Sequence, residues 1–226
     1  MAYILYIETT TKNCSVALAK NNILIDEKEI SSENYSHSEN LTVFIKDLVE
    51  KNKLEFNQLN AIAISEGPGS YTGLRIGTST AKGLCFALKI PLISVNTLKG
   101  IASFANEKNK ASAYFSMIDA RRMEVFLEIF DKELNSTAAT VAQIIDEEYL
   151  ESITEKNIVF CGDGVHKFDN LVKDKKNIII HEFQPSAKHM IEEGYNKFIN
   201  KKFEDVAYFE PFYLKDFIAG KPKKLF

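Results

Sequence analysis

Chemistry in this chain, if it has any, starts with Ser65-Glu66-Gly67-Pro68-Gly69-Ser70-Tyr71-Thr72-Gly73-Leu74-Arg75-Ile76-Gly77. A glycine-rich loop between a strand and a helix can aim backbone N–H groups and a helix dipole at an anion. The spacing is Gly-x-Gly-x-x-x-Gly, one residue longer than the dinucleotide fingerprint, and no Gly-Lys-Ser/Thr follows it. Backbone physics therefore allows either a tight turn or a phosphate site at Gly67, Gly69 and Ser70. A second set is Glu8-Thr9-Thr10-Thr11, an acid and hydroxyls at the end of an apolar run. It could place a metal and a phosphate, or simply turn a polar hairpin.

Within the helix that follows the glycine loop, Gly73, Gly77 and Ala81 recur at i, i+4 and i+8. Small residues on one face let another backbone approach closely. Gly73, Gly77 and Gly83 each cost about 1 kcal/mol of helix propensity relative to alanine, so close packing must offset them. The partner is a helix of the same lobe or a different chain. The four histidines, His37, His166, His181 and His189, show no zinc spacing, and no Gly-x-Ser-x-Gly is present. Cys14, Cys85 and Cys161 lie far apart, so a reduced cytoplasmic protein without disulfides is expected. The residues offer no self-contained catalytic machinery and no metal site.

The elements that position these residues follow from periodicity and punctuation. Strands are predicted at 3–7, 14–19 and 23–30, the last two joined by Asn21-Asn22. Ser36 reads as an N-cap with Glu39 completing a capping box, ahead of the helical stripe Leu41, Phe44, Ile45, Leu48 and Val49. A strand at 61–65, a helix at 72–88, a strand at 92–95 and a helix from about 97 complete a β-β-β-α-β-α-β-α order. The polar stretch 106–110 marks a boundary. Beyond it, strands are predicted at 113–118, 124–130, 158–161 and 178–180, and helices at 141–150, 165–174 and 187–201. Because the β-hairpin order begins twice, two lobes are expected, each a mixed sheet with packed helices: 1–108 and a smaller 109–226 with a short basic, mobile tail.

Composition narrows the class. With 45% hydrophobic residues the chain can build a core, which excludes disorder. Residues 1–110 hold 12 bases and 11 acids and the rest 16 and 20, so the −3 net charge is +1 against −4 by halves. Neither half reads as a free-standing nucleic-acid clamp. The opening apolar run is too short for a signal peptide and no run approaches a membrane span, so no membrane role is expected.

Several ordered motifs together resemble the TsaB (YeaZ) family. They are Ile4-Leu5-Tyr6-Ile7-Glu8-Thr9-Thr10 with Cys14-Ser15-Val16-Ala17-Leu18, then Gly67 to Gly77, then 91–98. Ile118-Asp119-Ala120-Arg121-Arg122 with Glu124-Val125-Phe126, and Pro211-Phe212-Tyr213-Leu214, continue the order. The resemblance is dense to about residue 130, thin to 205, and returns at the end. It implies the two-lobed α/β fold of the actin–Hsp70–sugar kinase (ASKHA) superfamily. It also implies a part in making N6-threonylcarbamoyladenosine next to the tRNA anticodon. There a catalytic paralogue, TsaD, transfers the threonylcarbamoyl group; TsaB-like proteins are its non-catalytic dimerisation partners and activators, and an ATPase, TsaE, joins them.

The same resemblance carries roles onto residues. The catalytic paralogue's two metal-binding histidines correspond here to Thr97 and Ile101, which cannot replace imidazoles. The first phosphate loop reads Glu8-Thr9-Thr10 without the usual glycine. With Gly67, Gly69, Ser70, Gly162 and Gly164 it implies weak ATP or ADP contact, or contact only in the complex, and no cofactor of its own. The family's partner surface falls on His37, Leu41, Phe44, Ile45 and Leu48 of the first helix. On the second it falls on Thr72, Gly73, Ile76, Gly77, Thr80 and Ala81. That surface implies a homodimer in isolation and a heterodimer with a TsaD-like subunit, tRNA being held mainly through the complex. The rival is an autonomous ASKHA-fold enzyme, a small-molecule kinase or ATPase, or a metalloprotease-like protein.

Overall fold

In the computed structural model, residues 1–31, 36–172 and 177–215 are described. The first sheet has the order β3-β2-β1-β4-β5, from Ile23–Ser31 (β3), Asn13–Lys20 (β2), Tyr3–Glu8 (β1), Leu59–Gly67 (β4) and Leu92–Asn96 (β5). β1 runs antiparallel to β2 and parallel to β4. β3, with Asp26, Glu27, Lys28 and Glu29, is the exposed edge, where charge discourages further pairing.

Alternation along β1 sets the two faces of this sheet. Leu5 and Ile7 join Leu41, Ile45 and Leu48 of α1 (His37–Lys51) and Ala81 and Cys85 of α2 (Tyr71–Leu88) in one core cluster. Ile4 and Tyr6, with Ala61, Ala63, Ile93 and Val95, meet Ala187, Met190 and Ile191.

The second sheet repeats the first. β6 (Ala113–Asp119), β7 (Glu124–Asp131), β8 (Val141–Ile144), β9 (Ile158–Cys161) and β10 (Ile178–His181) give the order β10-β9-β6-β7-β8 with the same pattern of parallel and antiparallel pairs. One face is closed by Leu150 of α4 (Glu147–Ser152) and by Val165, Phe168 and Val172. The other is closed by Leu98, Ile101, Ala102 and Ala105 of α3 (Thr97–Lys108). The doubled order expected from the sequence is thus the observed one.

Four expectations need correction. Ser36 precedes α1 but makes no side-chain cap. The helix predicted at 141–150 starts as strand β8, because pairing with β7 completes the sheet edge, and only α4 is helical. The segment 165–174 is a 3-10 turn, Asp163–Phe168, followed by α5 (Asp169–Val172), with 173 and 174 outside the described residues. The helix predicted at 187–201 is a 3-10 turn followed by a shorter helix. The 3-10 turn Ala187–Met190 and α6 (Ile191–Ile199) cover the first sheet, and Glu204 bridges to Leu92. The first sheet's apolar second face would otherwise be open to water. The basic tail predicted after Leu214 lies outside the described residues except for Lys215. Among the described residues, no helix is long and apolar enough to cross a membrane.

Candidate functional site

The turn after β1 and the loop before α2 interlock. The Ser70 N–H donates to the Thr10 carbonyl at 2.6 Å, and the Ser70 Oγ accepts from the Gly73 N–H at 3.3 Å as the helix N-cap. Thr9 Oγ1 donates to the Gly73 carbonyl at 2.8 Å. A Cβ on Gly69 would lie 2.5 Å from the Thr10 carbonyl oxygen, one on Gly73 2.0 Å from that of Thr9, and one on Gly77 2.3 Å from Thr9 Oγ1. Ala81 is fully buried. The small-residue face of α2 is therefore filled by this chain's own Thr9-Thr10 turn. Gly73, Gly77 and Ala81 are buried within the chain itself. Removing the cap, Ser70→Ala, is expected to lower stability by about 1 kcal/mol in thermal unfolding.

The would-be phosphate loops are closed in the same way. Glu8 is 1% exposed, and its Oε1 accepts from the Thr10 N–H at 2.6 Å and from Thr10 Oγ1 at 2.5 Å. Burial pushes its carboxyl up to about 7, against those bonds and one from Ser65. The Gly67 N–H donates to Thr97 Oγ1 at 3.2 Å and the Gly162 N–H to the His181 carbonyl at 3.1 Å. Cβ atoms at Gly162 and Gly164 would meet the Met117 carbonyl oxygen at 2.1 Å and Val125 at 2.8 Å. Glu8, Thr9, Thr10, Gly67, Gly69, Ser70, Gly162 and Gly164 thus form close-packed junctions. The N–H groups of Thr10, Gly67, Ser70 and Gly162 are engaged within the chain.

Thr97 and Ile101 are likewise used in packing. Thr97 accepts from the Gly67 N–H, and Ile101 is fully buried 3.4 Å from the Cβ position of Gly162. Among the described residues no three His, Cys, Asp or Glu side chains converge as a metal site. His37 is buried with Nε2 2.9 Å from the Thr11 carbonyl, and desolvation holds its pKa below the usual value.

What remains accessible on α1 and α2 is their outer row. Of the eleven interface positions predicted from sequence, His37, Leu41, Ile45 and Leu48 are core residues, and with the three small residues of α2 they are buried. Phe44, Ile76 and Thr80 are half-buried and Thr72 is exposed. They are joined by residues the sequence reading missed: Val43, 50% exposed, Arg75, and Phe86, 82% exposed. Arg75 stacks on Tyr71 at 4.0 Å. Lys82, Gly83 and Phe86 line an open groove with Asp205, Val206 and Ala207. On α2 the outer positions 72, 76, 80, 83 and 86 follow helical spacing, a signal present in the sequence opposite the buried stripe.

In the second sheet, the β6–β7 turn holds Arg121 (φ 68°) and Arg122 (φ 50°) in the left-handed region. That conformation costs roughly 1–2 kcal/mol per side-chain-bearing residue. The Asp119 carboxylate fixes the turn by accepting from the Arg121 N–H at 2.6 Å and from Lys167 Nζ at 2.5 Å.

Residues 29–223 match the family model described as TsaD: tRNA N6-adenosine threonylcarbamoyltransferase. The tRNA threonylcarbamoyladenosine biosynthesis protein TsaB of Buchnera aphidicola from Acyrthosiphon pisum is 31% identical over 195 residues, covering 83% of this chain and 86% of that one. TsaB of Escherichia coli K12 is 29% identical over 227 residues, covering 96% of each. YeaZ from Pseudomonas aeruginosa superposes with a TM-score of 0.80 over 95% of this chain and all of that one, at 22% identity. The last likeness bears out the fold, two α/β lobes each built on a mixed sheet with packed helices.

Proposed function

The chain belongs to the TsaB (YeaZ) family, and on that premise we propose that it serves tRNA threonylcarbamoyladenosine formation as a non-catalytic subunit. Its partner in this reading is a TsaD-like paralogue, docked on the outer row of α1 and α2, with a TsaE-like ATPase joining the pair. The observation that carries the non-catalytic part is the close packing of both glycine loops against the chain's own atoms. Exposed Val43 and Phe86, flanked by half-buried Phe44 and Ile76, support the docking face, since aromatic and aliphatic anchors dominate interface energetics. Docking acts by population shift: the partner's productive arrangement is favoured because it presents the complementary face. In isolation the same face pairs with a second copy, and nucleotide is bound by the assembly rather than by this chain.

The deciding experiment is reconstitution of the modification from purified subunits with and without this chain. Activity should depend on it, and full activity in its absence would sink the proposal. A sharper probe is Val43→Arg combined with Phe86→Glu, both exposed. These should leave the circular dichroism spectrum and unfolding midpoint unchanged while weakening partner affinity about thirtyfold or more, a loss of at least about 2 kcal/mol. Micromolar ATP affinity with turnover by the isolated chain would instead favour the autonomous-enzyme reading.

A further inference from the structure

The β6–β7 turn carries charge that the fold does not use. Its acids are each matched: Asp119 by Lys167 at 2.5 Å, and Glu124 by Lys215. Arg121 and Arg122 are exposed; among the described residues neither guanidinium is in hydrogen-bond or ion-pair contact, and Arg122 acts on Glu124 only through its field. Two exposed cations without a contact partner therefore stand side by side on a chain of net charge −3. They do so in the left-handed backbone region, where asparagine or glycine would sit without strain.

The turn is also the wrong shape for a small anion. Enclosed phosphates are cradled by converging N–H groups. Here the Arg121 N–H is taken by Asp119, the Ala120 N–H by the Glu124 carbonyl, and the Glu124 N–H by the Arg121 carbonyl. What the tip offers is two projecting guanidinium forks, which suit phosphodiester oxygens bidentately. We propose that this turn is an RNA-contacting surface, with Arg121 and Arg122 each engaging the sugar-phosphate backbone. The proposal rests on the tRNA-modification reading for the identity of the RNA, and it adds a direct contact made by the second lobe.

The test is the salt dependence of tRNA affinity, measured by fluorescence anisotropy on the assembly of the full chain with its TsaD-like partner. Arg121→Asn with Arg122→Gly removes both cations and supplies residues that favour the turn, so loss of folding does not confound the result. The unfolding midpoint should hold or rise, and the assembly should stay intact. At about 50 mM salt, tRNA affinity should fall roughly tenfold, and the log–log salt slope should shrink by about one for each lost contact. Arg121→Lys with Arg122→Lys should keep most of the affinity. Unchanged affinity and slope would overturn the proposal. So would loss of partner assembly, which would make the turn a protein contact, or competition of tRNA by millimolar inorganic phosphate at constant ionic strength, which would make it a small-anion site. Failure of the tRNA reading itself is read separately, from modification activity without this chain.

Discussion

Gly73→Ala should destabilise the fold by about 2–3 kcal/mol, even though alanine is the better helix former by about 1 kcal/mol. The new Cβ would lie 2.0 Å from the Thr9 carbonyl oxygen, a backbone atom with little room to move. Thr9 is held there by its own hydroxyl on the Gly73 carbonyl and, one residue on, by the Ser70 N–H on Thr10. Relieving the clash would pull apart those bonds and the junction between β1 and α2. Gly83 is the control, since its Cβ would meet nothing within 4 Å. Gly83→Ala should therefore stabilise by about 1 kcal/mol. Urea unfolding of both variants measures the contrast, and equal shifts would mean that the small-residue face is not packed as described. By the same geometry Gly77→Leu should destabilise the monomer, because leucine there would strike Thr9 and Ile64.

Most of the first lobe could be read from the residues because each element is bounded by a strong local signal. Asn21-Asn22 turns β2 into β3, and Ile90-Pro91 ends α2 before β5. The direction in which a face points was harder to read. The Gly73–Gly77–Ala81 spacing states that something approaches closely, but its occupant, the Thr9-Thr10 turn, lies some 64 residues away. The apolar stripe of α1 was legible as helical. An interface helix needs a second apolar row, however, because its first is taken by the core. On α2 that second row includes Phe86. In the other lobe, β8 is four residues long, too short for period alone to separate strand from helix. The return of α6 to the first sheet had no local signal at all. It follows from a demand elsewhere, the exposed apolar face that Ile4, Tyr6, Ala61 and Ala63 would otherwise present.

Glu8 is a buried structural joint at the end of β1, and its titration should show this. In the unfolded chain its carboxyl titrates near 4.5; in the fold, burial moves it to about 7. Between those values the native state holds the extra proton, so stability falls as pH rises through that window. The contribution is fully present below the unfolded value and gone above the folded one. A shift of that size corresponds to about 3 kcal/mol. Asp163, pushed up to about 6 by burial and carrying like charge toward Glu8, adds a component of the same sign. Glu8→Gln separates the two, because the amide oxygen can still accept from the Thr10 N–H and hydroxyl while carrying no proton equilibrium. The variant should be close to wild type in stability at pH 5 and about 2–3 kcal/mol more stable at pH 8, with only the shallower Asp163 slope remaining. Chemical denaturation across that range measures it. Parallel curves for the two proteins would mean that Glu8 is ionised in the fold, and would return it to the role of an open anion loop's acid.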